Sequence, residues 1–293
     1  MATEHPVLAH FTTQYHHGPY PAISPSLPGL STAGKAVVVT GAAGGIGSAM
    51  CRAFVEAGTK HLVMIDLNQT GLLTLKAELE DLSLGRTRIH PLVVDITSPK
   101  AVRDAFTTIE AVVGGKLDVL VNNAGYQNVG RPVLDIDMDE WFRCFEINVK
   151  GSFLVAVEFL RHGKSDAIII NLSSILAHYG VRAGHCRGHS GYCASKIAIT
   201  KAMDVIQEEM PLVRIVNLHP GLIATAMSAK IGNTALSVDS VNLPAHFAIW
   251  LASPEAEFLK GRLVWANWDV DEMKSRKDEI IEKDLLRIEL TGI

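Results

Sequence analysis

At 293 residues, with 48% apolar residues and a mean hydropathy of +0.21, the chain can build a large core and is not a disordered protein. A net charge of −4, a pI near 6.3 and basic residues spread along the sequence argue against nucleic acid as a partner. No apolar run approaches the ~20 residues that cross a bilayer, and the Pro/His-rich first thirty residues have neither the basic start nor the apolar stretch of a secretion signal. No membrane association is expected. Cys51, Cys144, Cys186 and Cys193 then read as reduced thiols in the cytoplasm.

Beyond an N-terminal arm of residues 1–32, expected to lie outside the core, strand and helix signals alternate. KAVVVTG (35–41) is a short β-branched run suited to a strand buried on both faces. Met50, Cys51, Phe54 and Val55 follow at helical spacing, and Gly58 ends that helix. HLVMID (61–66) predicts a second strand and 72–82 a helix; IHPLVVD (89–95) predicts a third strand, with Ser98-Pro99 opening the next helix. LDVLVNNAG (117–125), AIIINLSS (167–174), VRIVNLHPG (213–221) and RLVWAN (262–267) complete the strands. Helices are expected over 137–162, 191–209 and 243–252. The pattern predicts an α/β fold: one domain over residues 33–268, a doubly wound parallel sheet flanked by helices, followed by an amphipathic helical tail over 269–293. Ligands of such sheets bind at the carboxyl ends of strands.

At the end of the first strand stands Thr40-Gly41-Ala42-Ala43-Gly44-Gly45-Ile46-Gly47, a turn whose backbone N–H groups can approach a pyrophosphate at a helix N-terminus. Asp66 closes the second strand, where a carboxylate can bind an adenosine ribose and repel a 2′-phosphate. With Asn122-Asn123-Ala124-Gly125, Asn148, Tyr192/Lys196 and Pro220-Gly221 through Thr225, the chain resembles the short-chain dehydrogenase/reductase family, a Rossmann-type fold. These motifs span residues 35–225 in the family's order. FLKGRLVWANWDVDEM (258–273) further resembles fungal members associated with secondary metabolism.

The resemblance implies a nicotinamide cofactor held by Gly41, Gly45, Ile46, Gly47, Asp66, Asp95, Ile96, Asn123, Ala124, Gly125, Pro220, Gly221, Ile223 and Thr225, with Tyr192 and Lys196 also touching it. Asn122 would brace the sheet beneath. Gly44, where relatives that use NADP often carry a basic residue, and Asp66 both favour NAD.

Moving a hydride from a carbinol also requires moving the hydroxyl proton. A tyrosine, which titrates near ~10, can do this if positive charge favours its ionised form. Lys196, one helical turn beyond Tyr192, supplies such a charge, and the oxidised nicotinamide ring another. Ser174, second of the serine pair after the fifth strand, is the expected hydroxyl donor to the substrate oxygen. The resemblance gives Asn148 a water that leads protons to Lys196. Ser174 stands eighteen positions before Tyr192, five more than the family spacing, with the surplus in 181–191. A loop absorbs such an insertion at small entropic cost.

The same stretch raises zinc, through His178, His185, Cys186 and His189. No second cluster stands at a recognised distance, so no metal is expected. The sequence predicts an NAD-dependent oxidoreductase acting on a small, partly apolar secondary alcohol or ketone. Segments 126–136 and 226–243 are expected to line the substrate pocket through Val129, Val133, Met227, Ile231 and Leu236. Two other readings remain: a tailoring enzyme with a net non-redox step (epimerisation, isomerisation or cyclisation), and a non-catalytic NAD(H)-binding regulator. Apolar residues beyond one face of the helices over 137–162 and 191–209 (Phe142, Phe145, Phe153, Val157, Phe159, Ile206) predict a homodimer or homotetramer, since the family pairs these helices across a two-fold axis.

Overall fold

Every residue of Ala36–Thr40 (β1) is buried, with Val37 and Val39 in one core and Ala36 and Val38 in the other. Side chains alternate across a strand, so such a run needs packed layers on both faces. The computed structural model describes residues 11–178, 186–232 and 237–289. In it β1 joins His61–Asp66 (β2), Arg88–Val93 (β3), Leu117–Asn122 (β4), Gly163–Leu172 (β5), Arg214–His219 (β6) and Arg262–Trp265 (β7). These make one parallel sheet in the order β3-β2-β1-β4-β5-β6-β7. The order reverses between β1 and β4, which opens a crevice at their carboxyl ends.

One face of the sheet carries Gly45–Glu56 (α1), Gln69–Ser83 (α2) and Asn242–Leu251 (α8), packed through Phe54, Leu72 and Trp250. The other carries Pro99–Val113 (α3), Ser152–His162 (α5) and Ser190–Glu209 (α6), packed through Phe106, Phe159 and Met203. The expected start at Ser98-Pro99 is present: the Ser98 hydroxyl accepts from Ala101 N at 3.3 Å, and Gly114 ends α3 at φ +64°. On the edge strand β3, Pro91 pairs opposite Met64, a position that tolerates its missing N–H.

Three elements differ from the sequence expectation. The helix over 137–162 is Met138–Phe145 (α4), a π-helical turn over Glu146–Gly151 and then α5. Apolar periodicity alone does not reveal a change in hydrogen-bond register. β5 starts at Gly163, because Lys164, Ser165 and Asp166 are exposed polar residues that carry no apolar signal yet extend the strand. Residues 11–32, expected outside the core, bury Ile23 and Leu30 completely in the α1/α8 layer. The tail contains two short helices, Val270–Ser275 (α9) and Lys277–Glu282 (α10), which bury Val270, Met273 and Ile280.

Candidate active site

Between β1 and α1 the chain turns so tightly that a Cβ on Gly47 would lie 2.1 Å from the Gly41 carbonyl oxygen and 2.8 Å from Asn123 Nδ2. Only glycine fits there. Asn123, expected at the cofactor, directs its amide into this turn, donating to Thr40 O at 2.9 Å and Gly41 O at 3.2 Å. Its backbone N–H and that of Ala124 donate to Thr40 Oγ1, each at 3.0 Å. Asn123 therefore shapes the turn by tying β4 to β1. Asn122 braces the layer below, donating to Ser152 O at 3.1 Å.

From the turn runs an open groove of about 760 Å³, lined by Gly41, Asp66, Asp95, Ile96, Ala124 and Gly125 and by Tyr126, Phe142 and Arg143. Asp66 Oδ2 accepts from Ala43 N at 3.0 Å and Oδ1 from Asn68 N at 2.9 Å, so the carboxylate sits at the mouth of the glycine turn. Asp95 Oδ1 accepts from Thr97 N and Thr97 Oγ1 at 2.9 and 2.8 Å, which presents buried Ile96 to the groove. The basic side chain in the wall, Arg143, is paired with Glu140 at 3.7 Å and lies 5.2 Å from the centroid of the Tyr126 ring.

Beside Gly125 of the groove wall, β5 and α6 bring Ser174, Tyr192 and Lys196 together. Ser174 stands close enough to the Tyr192 phenol to favour its ionised form, and its hydroxyl caps the next turn by accepting from Leu176 N at 3.2 Å. Of the longer loop before α6, residues 179–185, including His185, lie outside the described residues. Lys196 Nζ lies 5.9 Å from the Tyr192 ring centroid and donates to the Leu172 carbonyl at 2.6 Å. Gly125 passes beside it, where a Cβ would stand 3.5 Å from Nζ and 3.3 Å from Asn148 Oδ1.

The electrostatics depart from the expectation that Lys196 pulls the phenol down. Burial dominates, pushing Tyr192 up to about 12 against the opposing Ser174 hydrogen bond. Burial likewise pulls Lys196 down to about 8, so at neutral pH the amine is mostly charged and the phenol holds its proton. Asn148, in the π-helical turn, is fully buried. Its Oδ1 accepts from Tyr126 N at 2.7 Å, while Nδ2 donates to Tyr126 O at 2.8 Å and Ser195 Oγ at 2.9 Å. This side chain thereby bridges Tyr126 to α6.

After β6, Pro220-Gly221 leads to Ile223 and to Thr225, whose hydroxyl caps Ala226–Lys230 (α7) by accepting from Ser228 N at 3.1 Å. The Thr225 methyl carbon would lie 3.4 Å from a Cβ on Gly45, so this loop abuts the glycine turn. Lys230 of α7 reaches over the groove wall, donating to Tyr126 Oη at 2.8 Å, and the same phenol bonds Glu140. Of the expected pocket residues, Val129 and Val133 are exposed, Met227 and Ile231 partly buried, and Leu236 lies outside the described residues.

The histidines of the zinc question part company. His178 Nε2 accepts from Trp265 Nε1 at 3.0 Å, whereas the His189 ring packs on Gly130 and meets Gln127 Nε2 at 3.3 Å. Among the described residues no three His, Cys, Asp or Glu side chains come together as a metal-ligand set. Phe159 and Ile206, expected at an interface, are instead buried in the core; Met138, Phe142, Phe153, Ile197 and Val205 are the exposed large apolar residues of these helices. Sequence reasoning missed His219. Its Nδ1 accepts from Ile175 N at 3.1 Å, beside Ser174, and burial pulls the ring down to about 3, keeping it neutral. It also missed Tyr126, although that residue directly follows the Asn-Asn-Ala-Gly motif.

The family pattern described as short chain dehydrogenase matches residues 35–235. A short chain dehydrogenase of Monascus purpureus is 31% identical over 305 residues, covering 97% of this chain and 98% of the relative. The chain belongs to the short-chain dehydrogenase family of oxidoreductases. Its fold is shared with a solved NAD⁺-bound xylitol dehydrogenase (24% identity, TM-score 0.70, covering 80% of this chain and 98% of that one). It is shared equally with a Burkholderia cenocepacia short chain dehydrogenase solved with NADP (23% identity, TM-score 0.72, covering 82% and 99%). The fold itself therefore does not choose between the two cofactors. No helix among the described residues is long and apolar enough to cross a membrane.

Proposed function

We propose that the chain is an NAD-dependent oxidoreductase that interconverts a secondary alcohol and a ketone, with Tyr192 as general acid/base assisted by Ser174, Lys196 and Asn148. The observation that carries this reading is the grouping of Ser174, Tyr192 and Lys196 at the sheet's carboxyl end, all three buried and with Lys196 Nζ 5.9 Å from the Tyr192 ring centroid. The residues present fit a dinucleotide. The turn at Gly47 leaves room for backbone to approach a pyrophosphate, and the groove is about 760 Å³ with a carboxylate at its mouth. Asp66 would hold the ribose diol, Ile96 would cover the adenine, and Lys196 would bond the second ribose. Gly44 and Asp66 favour NAD, because a 2′-phosphate would meet the Asp66 carboxylate, while the basic side chain of the groove, Arg143, is paired with Glu140.

When bound, the nicotinamide ring supplies or accepts the hydride. In the reductive direction the Tyr192 hydroxyl gives its proton to the substrate oxygen, and Ser174 holds that oxygen by a hydrogen bond. The Lys196 ammonium then stabilises the phenolate, and Asn148 keeps α6 and the Tyr126 backbone in register. In the oxidative direction the phenol must first lose its proton, which burial opposes. Each pH unit by which it must be lowered requires ~1.4 kcal/mol of differential interaction with positive charge.

The substrate is a small, partly apolar alcohol or ketone, in keeping with a role in fungal secondary metabolism. The four free thiols fit a reducing compartment such as the cytoplasm. Exposed Phe142, Phe153 and Val205 on α4, α5 and α6 fit a homodimer or homotetramer built across these helices. Screening secondary alcohols with NAD⁺ and with NADP⁺, following the absorbance of the reduced cofactor, tests the reading. Turnover with NAD⁺ is expected, and preference for NADP⁺ would refute the cofactor assignment.

A further inference from the structure

The arm over residues 11–32 does more than cover apolar surface. Tyr15 forms an antiparallel bridge to Trp268, just beyond β7, and His16 and Asn267 exchange two hydrogen bonds of 2.7 and 2.9 Å. Tyr20 locks the same segment, its hydroxyl donating to Trp268 O at 3.1 Å and accepting from Val270 N at 3.0 Å. This docking delivers His17 to the carboxyl end of the sheet. There His17 O accepts from Ser240 N at 2.7 Å, and its ring Nδ1 meets Asp239 Oδ1 at 2.6 Å.

Asp239 is the junction. Its side chain is 2% exposed, and its second oxygen accepts from Leu222 N at 2.6 Å. The two backbones also pair, Asp239 N donating to Leu222 O at 3.1 Å beside a parallel bridge between Ile223 and Asp239. Gly221 makes the approach possible: at φ +94°, a Cβ there would stand 2.6 Å from Asp239 Oδ2. One buried carboxylate thus joins the arm to the loop that runs through Ile223 to Thr225 and on to the glycine turn. A carboxylate held by two short bonds defines its partners' positions closely.

We propose that His17 and Asp239 are positioning residues of the cofactor site: the arm, through this carboxylate, sets the backbone of Leu222 and hence the placement of Ile223 and Thr225. This rests on the reading that Ile223 and Thr225 face the nicotinamide half of a bound cofactor. The arm is then a working part of the site rather than an appendage.

The test uses the full chain and NADH itself, with binding followed by fluorescence and the steady-state constants measured on an alcohol that the unmodified protein oxidises. His17→Ala removes the hydrogen-bond donor to a buried carboxylate, so the NADH dissociation constant and KM for NAD⁺ should rise about tenfold, with a smaller change in kcat. His17→Asn, whose amide nitrogen can stand where Nδ1 stands, should restore most of the affinity. Asp239→Asn should weaken binding further, and His17→Ala keeps the test informative if that variant does not fold. Unchanged NADH affinity in His17→Ala, with only a lower urea midpoint, would overturn the inference and make the contact merely structural. If the unmodified protein bound neither NADH nor NADPH, the cofactor reading would fall, and the inference with it.

Discussion

Lys196→Met separates the buried ammonium from everything else in the site. Burial holds the folded-state pKa near 8 against the ordinary 10.5, so between these values the unfolded chain binds a proton that the folded one does not. Stability from this residue is therefore lowest below pH 8 and rises with pH up to 10.5, the opposite of a lysine that gains an acidic partner. The whole shift corresponds to about 3 kcal/mol, of which about 2 kcal/mol should appear between pH 7 and pH 9.5. Methionine has no proton to exchange but also loses the bond to the Leu172 carbonyl, so the absolute stability difference mixes two effects. The pH dependence of that difference isolates the ammonium. Urea unfolding of both proteins at several pH values should find the unmodified chain gaining about 2 kcal/mol on Lys196→Met across this range. Tyr192, pushed up to about 12, stays protonated throughout and leaves the comparison clean. Parallel stability curves would mean that Lys196 titrates as an ordinary surface lysine, and the buried-charge account would fail.

Asp66→Ala should narrow the preference for NADH over NADPH in fluorescence titrations; tighter NADPH binding to the unmodified protein would refute the assignment. Gly47→Ala should abolish cofactor binding with the fold retained by circular dichroism, since a methyl group would stand 2.1 Å from the Gly41 oxygen; normal affinity would show that the turn can yield. Light scattering at micromolar concentration should find a dimer or tetramer, and Phe142→Asp with Phe153→Asp should shift it toward monomer; a monomeric unmodified protein would refute the interface. Dialysis against a strong chelator should leave activity and melting temperature unchanged, whereas loss that zinc restores would show that the His/Cys loop binds a metal.

Much of this site is legible in the sequence because its parts are local. A buried parallel strand is a largely apolar run, so β1, β2 and the AIIINL stretch of β5 announce themselves, and the glycine turn, Asp66 and the serine pair stand at their ends. Tyr192 and Lys196 meet the site together because they share one helix face. The remainder depends on contacts between distant segments. Asp239 and His17 are 222 positions apart, and neither sits in a motif. The apolar excess on α5 and α6 suggested an interface, but Phe159 and Ile206 fill the core because those helices are covered more broadly than one face. The π-helical turn at Asn148 leaves no mark in the residue pattern. Nor does the balance at Tyr192: motif spacing supplies the lysine, while the burial that outweighs it belongs to the packed structure.

The central claim is that Tyr192 carries the proton, and single-turnover oxidation of a confirmed alcohol by Tyr192→Phe tests it most directly. Phenylalanine keeps the ring and its packing and removes the oxygen that Ser174 contacts. NADH affinity and unfolding midpoint should stay near those of the unmodified protein, while the rate of NADH formation falls by ~10²–10⁴-fold, the range typical of losing a positioned acid/base. Near-normal hydride transfer by Tyr192→Phe would contradict the account, since the substrate proton would then have another acceptor.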